Sequence, residues 1–296
     1  MFYSTNASFL EALENPPDQV IEACEATSQT LHTRFDGAEV VWRTWGAGPA
    51  VILLHGGTGS WLHWIRTIPH LMTDHTVLVP DLPGMGDSSL PSTTTPVEAL
   101  IEDSAHLLAR SIPLLVTGSA PVQLVGFSFG SMVAAHVAAR LGRRATTLGL
   151  VGSSGFGLSF RGVSGLKKPE PSLSDTALRA LHRHNMCTIM FGDEANADEL
   201  ALEMQLHNAA RMRIRSHESA HSKTMLDALP AINADIFAIW GANDPFQPDD
   251  INAARTLLER ESKGSVSAHL VSGAGHWVAY EASNLFNALL SEELNS

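Results

Sequence analysis

Pro121-Val122-Gln123-Leu124-Val125-Gly126-Phe127-Ser128-Phe129-Gly130-Ser131-Met132-Val133-Ala134-Ala135-His136-Val137-Ala138-Ala139-Arg140 is the stretch that decides the fold. Its first part is short, apolar and β-prone. Its last part is alanine-rich and free of glycine and proline through Arg140, as a helix requires. Between them stands G-x-S-x-G. A strand feeding a helix through this pattern is a nucleophile elbow, in which the glycines permit a turn so tight that the serine hydroxyl is exposed at its apex. Ser128 is thus a candidate nucleophile, and the rest of the chain must supply a base, an acid and oxyanion donors.

Working outward, β-prone runs at 31–35 and 40–45 flank Asp36-Gly37 and read as a hairpin. Uniformly apolar runs at 50–54 and 76–80 end in His55-Gly56-Gly57 and Asp81, and further runs recur at 122–125, 147–151, 236–240 and 266–271. Such runs suit strands buried on both faces. Helical patterns at 60–72, 96–110, 128–142, 249–260 and 281–293 separate most of them. The alternation predicts an α/β fold, a doubly wound and mainly parallel sheet with the hairpin as its antiparallel edge. More than 80 residues separate the runs ending at Val151 and starting at Ile236, and helical patterns near 174–190 and 196–220 occupy them. So long a connection is expected to be a helical cap inserted after the sixth strand. The expected division is an N-terminal helical extension at 1–30, broken at Pro16-Pro17, a core at 31–155 and 232–296, and a cap at 156–231.

Of the 296 residues 44% are apolar and 17% charged, enough for a sizeable core. Acidic residues outnumber basic ones, 31 to 19, for a net charge of −12. Such a surface repels phosphate backbones and anionic headgroups, which argues against nucleic acid and membrane as partners. Cys24 and Cys187 are too few and too far apart for a disulfide framework or metal cluster and read as reduced thiols. Glu11, Glu14, Asp18 and Glu22 interrupt the N-terminal region, so it does not read as a signal peptide. No stretch has the uninterrupted apolar length of a membrane span, and Asn6-Ala7-Ser8 is a sequon without consequence in the absence of secretion. A cytoplasmic enzyme acting on a small molecule, as monomer or homodimer and without a cofactor, is the expectation.

A serine hydroxyl needs a base, usually a histidine held by a carboxylate. Of fourteen histidines, His276 lies in the glycine-rich turn Ser272-Gly273-Ala274-Gly275-His276-Trp277, just after the last strand run. Asp244, in Trp240-Gly241-Ala242-Asn243-Asp244-Pro245, follows the preceding run and reaches the same sheet edge. Asp249 and Asp250 look instead like N-terminal residues of the next helix. The order Ser128, Asp244, His276 is that of hydrolases with this elbow. Backbone N–H groups of Phe129, after the nucleophile, and of Gly57, in His55-Gly56-Gly57-Thr58-Gly59, are the expected oxyanion donors. That loop is no phosphate cradle, since no Lys-Ser/Thr follows it. His63, His182 and His184 lack further residues to complete a metal site, and none is expected. Pocket walls are expected from Phe127, Phe129, Trp61, Trp64, Phe156, Phe160, Met186, Met190 and Phe191, which points to a substantially apolar substrate.

The motifs HGGTGSW (55–61), DLPGMGDS (81–88), GANDP (241–245) and GAGHW (273–277), together with the elbow, resemble those of α/β-hydrolase fold enzymes, in the same order and over residues 31–293. The resemblance implies Ser128, His276 and Asp244 as nucleophile, base and acid. Within that superfamily, His276-Trp277 and the cap are similar to the meta-cleavage product hydrolases, which cut carbon–carbon bonds in vinylogous diketo acids. That group typically has asparagine where this chain has Phe127, and a cap arginine for the substrate carboxylate. Here the corresponding position falls near Met204, with Arg211, Arg213 and Arg215 following on what reads as one helix. Arg211 and Arg215 share a face at i, i+4, although such a run is usually solvated. Phe127, Trp277, Trp61, Met190 and Arg211 are the expected substrate contacts. Hydrolysis of a small or medium apolar ester is the first functional expectation, carbon–carbon hydrolysis the second, and a catalytically silent ligand receptor the third.

Overall fold

A computed structural model describes residues 5–90, 96–170 and 172–296. The hairpin forms as its turn residues dictate. Strands β1 (Gln29–Phe35) and β2 (Ala38–Trp45) pair antiparallel from Phe35 opposite Ala38, leaving Asp36 (φ 54°) and Gly37 (φ 79°) as the two-residue loop. Two left-handed residues in succession match the right-handed twist of the flanking strands. The other strands are β3 (Ala50–Leu54), β4 (Thr76–Pro80), β5 (Val122–Phe127), β6 (Ala145–Val151), β7 (Asp235–Gly241) and β8 (Val266–Val271). They build one sheet in the order β1-β2-β4-β3-β5-β6-β7-β8, with β2 antiparallel to both neighbours and every later pair parallel.

The chain reverses its direction of growth at β3, which lies between β4 and β5. Loops leaving the C-terminal ends of strands at such a switch point diverge and leave a crevice. The glycine loop after β3 and the elbow after β5 are therefore neighbours by topology alone.

The helices are α1 (Asn6–Leu13), α2 (Pro17–Glu25), α3 (Ile68–Leu71), α4 (Val97–Leu115), α5 (Phe129–Leu141), α6 (Asp175–Met190), α7 (Glu199–Arg211), α8 (Thr224–Ala228), α9 (Ile251–Glu261), α10 (Val278–Glu281) and α11 (Ser283–Leu294). One core layer lies between the sheet and α4, α5, α8 and α9, with Leu100, Ile101, Leu108, Val133, Met225 and Leu258 among its residues. The opposite layer joins the sheet to α1, α2, α3, α10 and α11 through Phe9, Val20, Ile68, Tyr280, Phe286 and Leu290. Met186 of α6 and Leu202 and Met204 of α7 belong to this second layer.

Three sequence expectations change. The pattern at 60–72 is not one helix: Ser60 accepts from Leu62 N–H to start a single 3₁₀ turn at Trp61–Trp64, and α3 begins separately at Ile68 with Pro69 in its first turn. The N-terminal helices are packed elements, since Phe9, Val20 and Cys24 are buried and α2 lies against α7. Residues 224–231, expected to close the cap, return to the core, where Met225, Ala228 and Leu229 pack with α5.

Candidate active site

Ser128 sits at φ 51° and ψ −120°, a conformation that costs an L-residue on the order of 1–3 kcal/mol. The surroundings hold it there. Ser128 N–H donates to Val151 O (2.8 Å), and its carbonyl accepts from Ser131 N–H (2.9 Å) and Ser131 Oγ (2.5 Å). The flanking glycines are needed for close approach: a Cβ on Gly126 would lie 2.3 Å from Gly130 O, and one on Gly130 2.3 Å from His55 O. Strand, turn and helix are thus pressed together so that the hydroxyl stands at the apex, only half-buried.

His276 and Asp244 arrive from the loops after β8 and β7. Ser128 Oγ–H lies 2.9 Å from His276 Nε2, and His276 Nδ1–H lies 2.8 Å from Asp244 Oδ2. Asp244 is fully buried and His276 nearly so. The second carboxylate oxygen of Asp244 accepts from Phe246 N–H (2.7 Å), so the acid is fixed in orientation. Phe127 and Phe246 flank the imidazole at centroid distances of 4.9 and 4.8 Å. Beside it runs Gly152, where a Cβ would meet His276 Nδ1 at 3.1 Å. Asp250 instead caps α9 by accepting from Ala253 N–H, as its position in the sequence implies.

The loop after β3 is held by two histidines on opposite sides of Gly56. His55 Nδ1–H donates to Gly56 O (2.8 Å), while His55 Nε2 accepts from Leu82 N–H (2.8 Å). In a trans peptide the carbonyl and the following N–H point in opposite directions. Fixing Gly56 C=O against His55 therefore aims Gly57 N–H away from the His55 ring. Phe129 opens α5, so its own N–H has no helical acceptor. His63 Nδ1 accepts from Gly56 N–H (3.2 Å), which leaves the proton of a neutral His63 on Nε2. Burial lowers the pKa of His55, and burial together with the neighbouring His55 and His276 holds His63 well below the usual histidine range. Both bonds to Gly56 and Leu82 require this neutral state, because an imidazolium has no acceptor.

Glu281 locks the histidine loop to residues 192–196. Its carboxylate accepts from Gly275 N–H (2.6 Å), Gly192 N–H (2.9 Å), Asp193 N–H (2.9 Å) and Asn196 Nδ2 (3.0 Å). Trp277 N–H donates to Met190 O (2.8 Å), and Ser60 Oγ–H donates to Asn208 Oδ1 of α7 (2.7 Å). Residues between β6 and β7 thus bond to the histidine loop after β8 and to Ser60, just past the glycine loop after β3.

Several expected contacts lie elsewhere. Trp61 is buried against Trp45 (5.6 Å) and the Arg43 guanidinium (5.7 Å), inside the core rather than on a pocket wall. Helix α7 ends at Arg211, so Arg213 and Arg215 are not on it and Arg211 shares no helical face with Arg215. Arg211 is exposed, 3.8 Å from Asp87, and bonds only weakly to His207 O (3.5 Å). Arg213 donates to the carbonyls of Gly86 and Ser88. Arg43 is neutralised by Glu25, Asp81 and Asp87. Phe127 packs beneath the site between Gly56, His63 and His276, and Trp277 stacks on Tyr280 (4.4 Å) while its Nε1–H donates to His63 O. Among the described residues no group of three or more potential ligands is gathered for a metal, and no helix is long and apolar enough to cross a membrane.

Sheet order, the elbow and the meeting of Ser128, His276 and Asp244 define a fold class, and the sequence agrees with it. The chain belongs to the α/β hydrolase family, whose pattern it matches over residues 51–289. It is a hydrolytic enzyme of that family. A 2-hydroxy-6-oxononadienedioate/2-hydroxy-6-oxononatrienedioate hydrolase of Burkholderia vietnamiensis is 27% identical over 94% of this chain and 99% of its own length. A 2-hydroxy-6-oxo-6-phenylhexa-2,4-dienoate hydrolase of Comamonas testosteroni is 27% identical over 82% of this chain and 87% of its own. Among solved structures, a serine hydrolase from the polyaromatic-hydrocarbon-degrading bacterium Cycloclasticus zankles superposes with a TM-score of 0.69 at 23% identity, over 89% of this chain and 96% of that one.

Proposed function

We propose that the protein is a serine hydrolase that cleaves a small or medium, largely apolar carboxylic ester through an acyl-enzyme. The observation that carries this reading is the continuous chain from Ser128 Oγ through His276 to the buried Asp244 carboxylate, with bonds of 2.9 and 2.8 Å. Ser128 Oγ attacks the ester carbonyl as its proton passes to His276 Nε2, and Asp244 stabilises the resulting imidazolium. The N–H groups of Gly57 and Phe129 donate to the oxyanion, where prealigned donors act most strongly. Collapse of the tetrahedral intermediate expels the alcohol, which takes the proton from His276. Water then gives a proton to His276 and attacks the acyl carbon, and a second collapse frees the acid and restores Ser128.

Preference for a neutral, apolar substrate rests on the charges around the site. Arg43 and Arg213 are occupied, Arg211 is on the surface, and Phe127 stands beside the nucleophile. If no cation faces the substrate, a carboxylate there is desolvated unpaired, at a cost of several kcal/mol.

Carbon–carbon hydrolysis of a vinylogous diketo acid is the second reading, favoured by the names of the two curated relatives. The same triad can serve it. Comparing kcat/KM for p-nitrophenyl butyrate and for a 2-hydroxy-6-oxo-dienoate separates the two. The ester is expected to be the better substrate, and faster turnover of the dienoate would overturn the preference.

A further inference from the structure

The strap that follows α7 carries a hydroxyl to the oxyanion loop. Arg213 N–H donates to Gly84 O (2.9 Å), the Arg213 guanidinium to Gly86 O (3.1 Å) and Ser88 O, and buried Ile214 covers Gly84, where a Cβ would lie 2.6 Å from Ile214 Cγ2. Two residues on, Ser216 is 9% exposed. A Cβ built on Gly57 would stand 2.2 Å from Ser216 Oγ and 3.9 Å from Phe129 Cβ. Because that Cβ lies about 2.5 Å from its own backbone nitrogen, Ser216 Oγ is within about 5 Å of the Gly57 N–H. It stands on the Gly57 side of the glycine loop, where Phe129 Cβ is also near.

Among the described residues Ser216 Oγ has no hydrogen-bond partner, whereas the Ser216 carbonyl accepts from Ser219 N–H (3.1 Å) and Ser219 Oγ (2.6 Å). A hydroxyl without a fixed partner is a free rotor and can turn to meet charge as it develops. Arg213 and Ile214 fix the strap, and Ser216 bonds locally through its carbonyl. Its side chain is surplus to the local fold.

We propose that the Ser216 hydroxyl is a third donor to the oxyanion of the tetrahedral intermediate, supplied from the cap side and additional to Gly57 and Phe129. This rests on the serine-hydrolase reading above. Ser216 keeps its proton throughout and donates a hydrogen bond only. The oxyanion site is then complete only with the strap docked on the loop at 84–88, which couples the cap to the chemical step.

The test compares wild type with Ser216→Ala and Ser216→Thr by p-nitrophenyl butyrate kinetics, rate of fluorophosphonate labelling and melting temperature. Ser216→Ala is expected to lose about 10- to 100-fold in kcat, below the usual loss for a backbone-aligned donor, with little change in KM. Labelling should slow in parallel while the melting temperature is kept. Ser216→Thr, which retains the hydroxyl, should recover most of the rate. Wild-type kcat in Ser216→Ala, equal losses in both variants, or a loss matched by unfolding would each overturn the inference. If wild type itself neither turns over the ester nor labels, the hydrolase reading fails and this one with it. An active wild type with an unchanged Ser216→Ala overturns the Ser216 role alone.

Discussion

Replacing His55 by Gln and by Asn separates the two bonds of its ring and tests how the Gly57 donor is aimed. Gln places its amide near the imidazole Nε2 position and can keep the bond with Leu82 N–H, observed at 2.8 Å, while losing donation to Gly56 O. Asn places its amide near Nδ1 and can keep donation to Gly56 O while leaving Leu82 N–H unpaired. If the His55–Gly56 bond fixes the peptide plane, the Gln variant frees Gly57 N–H to turn away. Loss of one aligned oxyanion donor costs on the order of 10²–10³ in kcat. The Asn variant should retain kcat within about tenfold but lose about 1–3 kcal/mol of stability for the orphaned Leu82 N–H, with a further cost for the smaller side chain. The assay pairs ester-hydrolysis kinetics with urea unfolding. A Gln variant with normal kcat, beside an Asn variant that has lost it, would refute the peptide-plane argument.

Asp244→Asn should lower kcat by about 10³–10⁴ through loss of the correct imidazole tautomer, whereas Asp250→Ala should leave kcat unchanged and cost about 1 kcal/mol as a lost helix cap. Near-normal kinetics in Asp244→Asn would remove it from the triad. Stability should also depend on His55 and His63, whose folded pKa values lie below the unfolded value of about 6.5. Above that pH both are neutral in either state. Below it the unfolded chain takes up protons that the folded chain refuses, so stability falls with pH by up to about 1.4 kcal/mol per unit for each, until the folded pKa is reached. His63→Asn should remove one share of that slope between pH 7 and 5.5 in urea unfolding, and an identical slope would contradict the buried neutral assignment.

Local rules made much of this molecule legible. Asp36-Gly37 specifies its hairpin, the apolar runs at 50–54 and 76–80 specify strands buried on both faces, and the glycines at 126 and 130 specify the elbow because no side chain fits there, whereas the run at 266–271 forms an edge strand that is only partly buried. That Ser128, Asp244 and His276 would meet at one sheet edge followed from strand ends. What was not legible depends on tertiary contacts. Helix α7 stops at Arg211 without a nearby glycine or proline, since the stop comes from Arg213 bonding to Gly84, Gly86 and Ser88 across the chain. Trp61 turns into the core because its short 3₁₀ turn faces Trp45, which no spacing announces. His63 read as structural, outside any metal site, but its part was not legible: its ring lies against Phe127 and Trp277 and accepts from Gly56 N–H. The signal available for it was proximity to the glycine loop, seven residues before it in the chain.

The central claim is that Ser128 is the activated nucleophile. Intact-mass and peptide analysis after treatment with a fluorophosphonate tests it most directly. One adduct is expected, on the peptide containing Ser128, absent in a folded Ser128→Ala variant and strongly slowed in His276→Ala. No adduct on wild type, or an adduct that persists at the same rate in Ser128→Ala, would contradict the account.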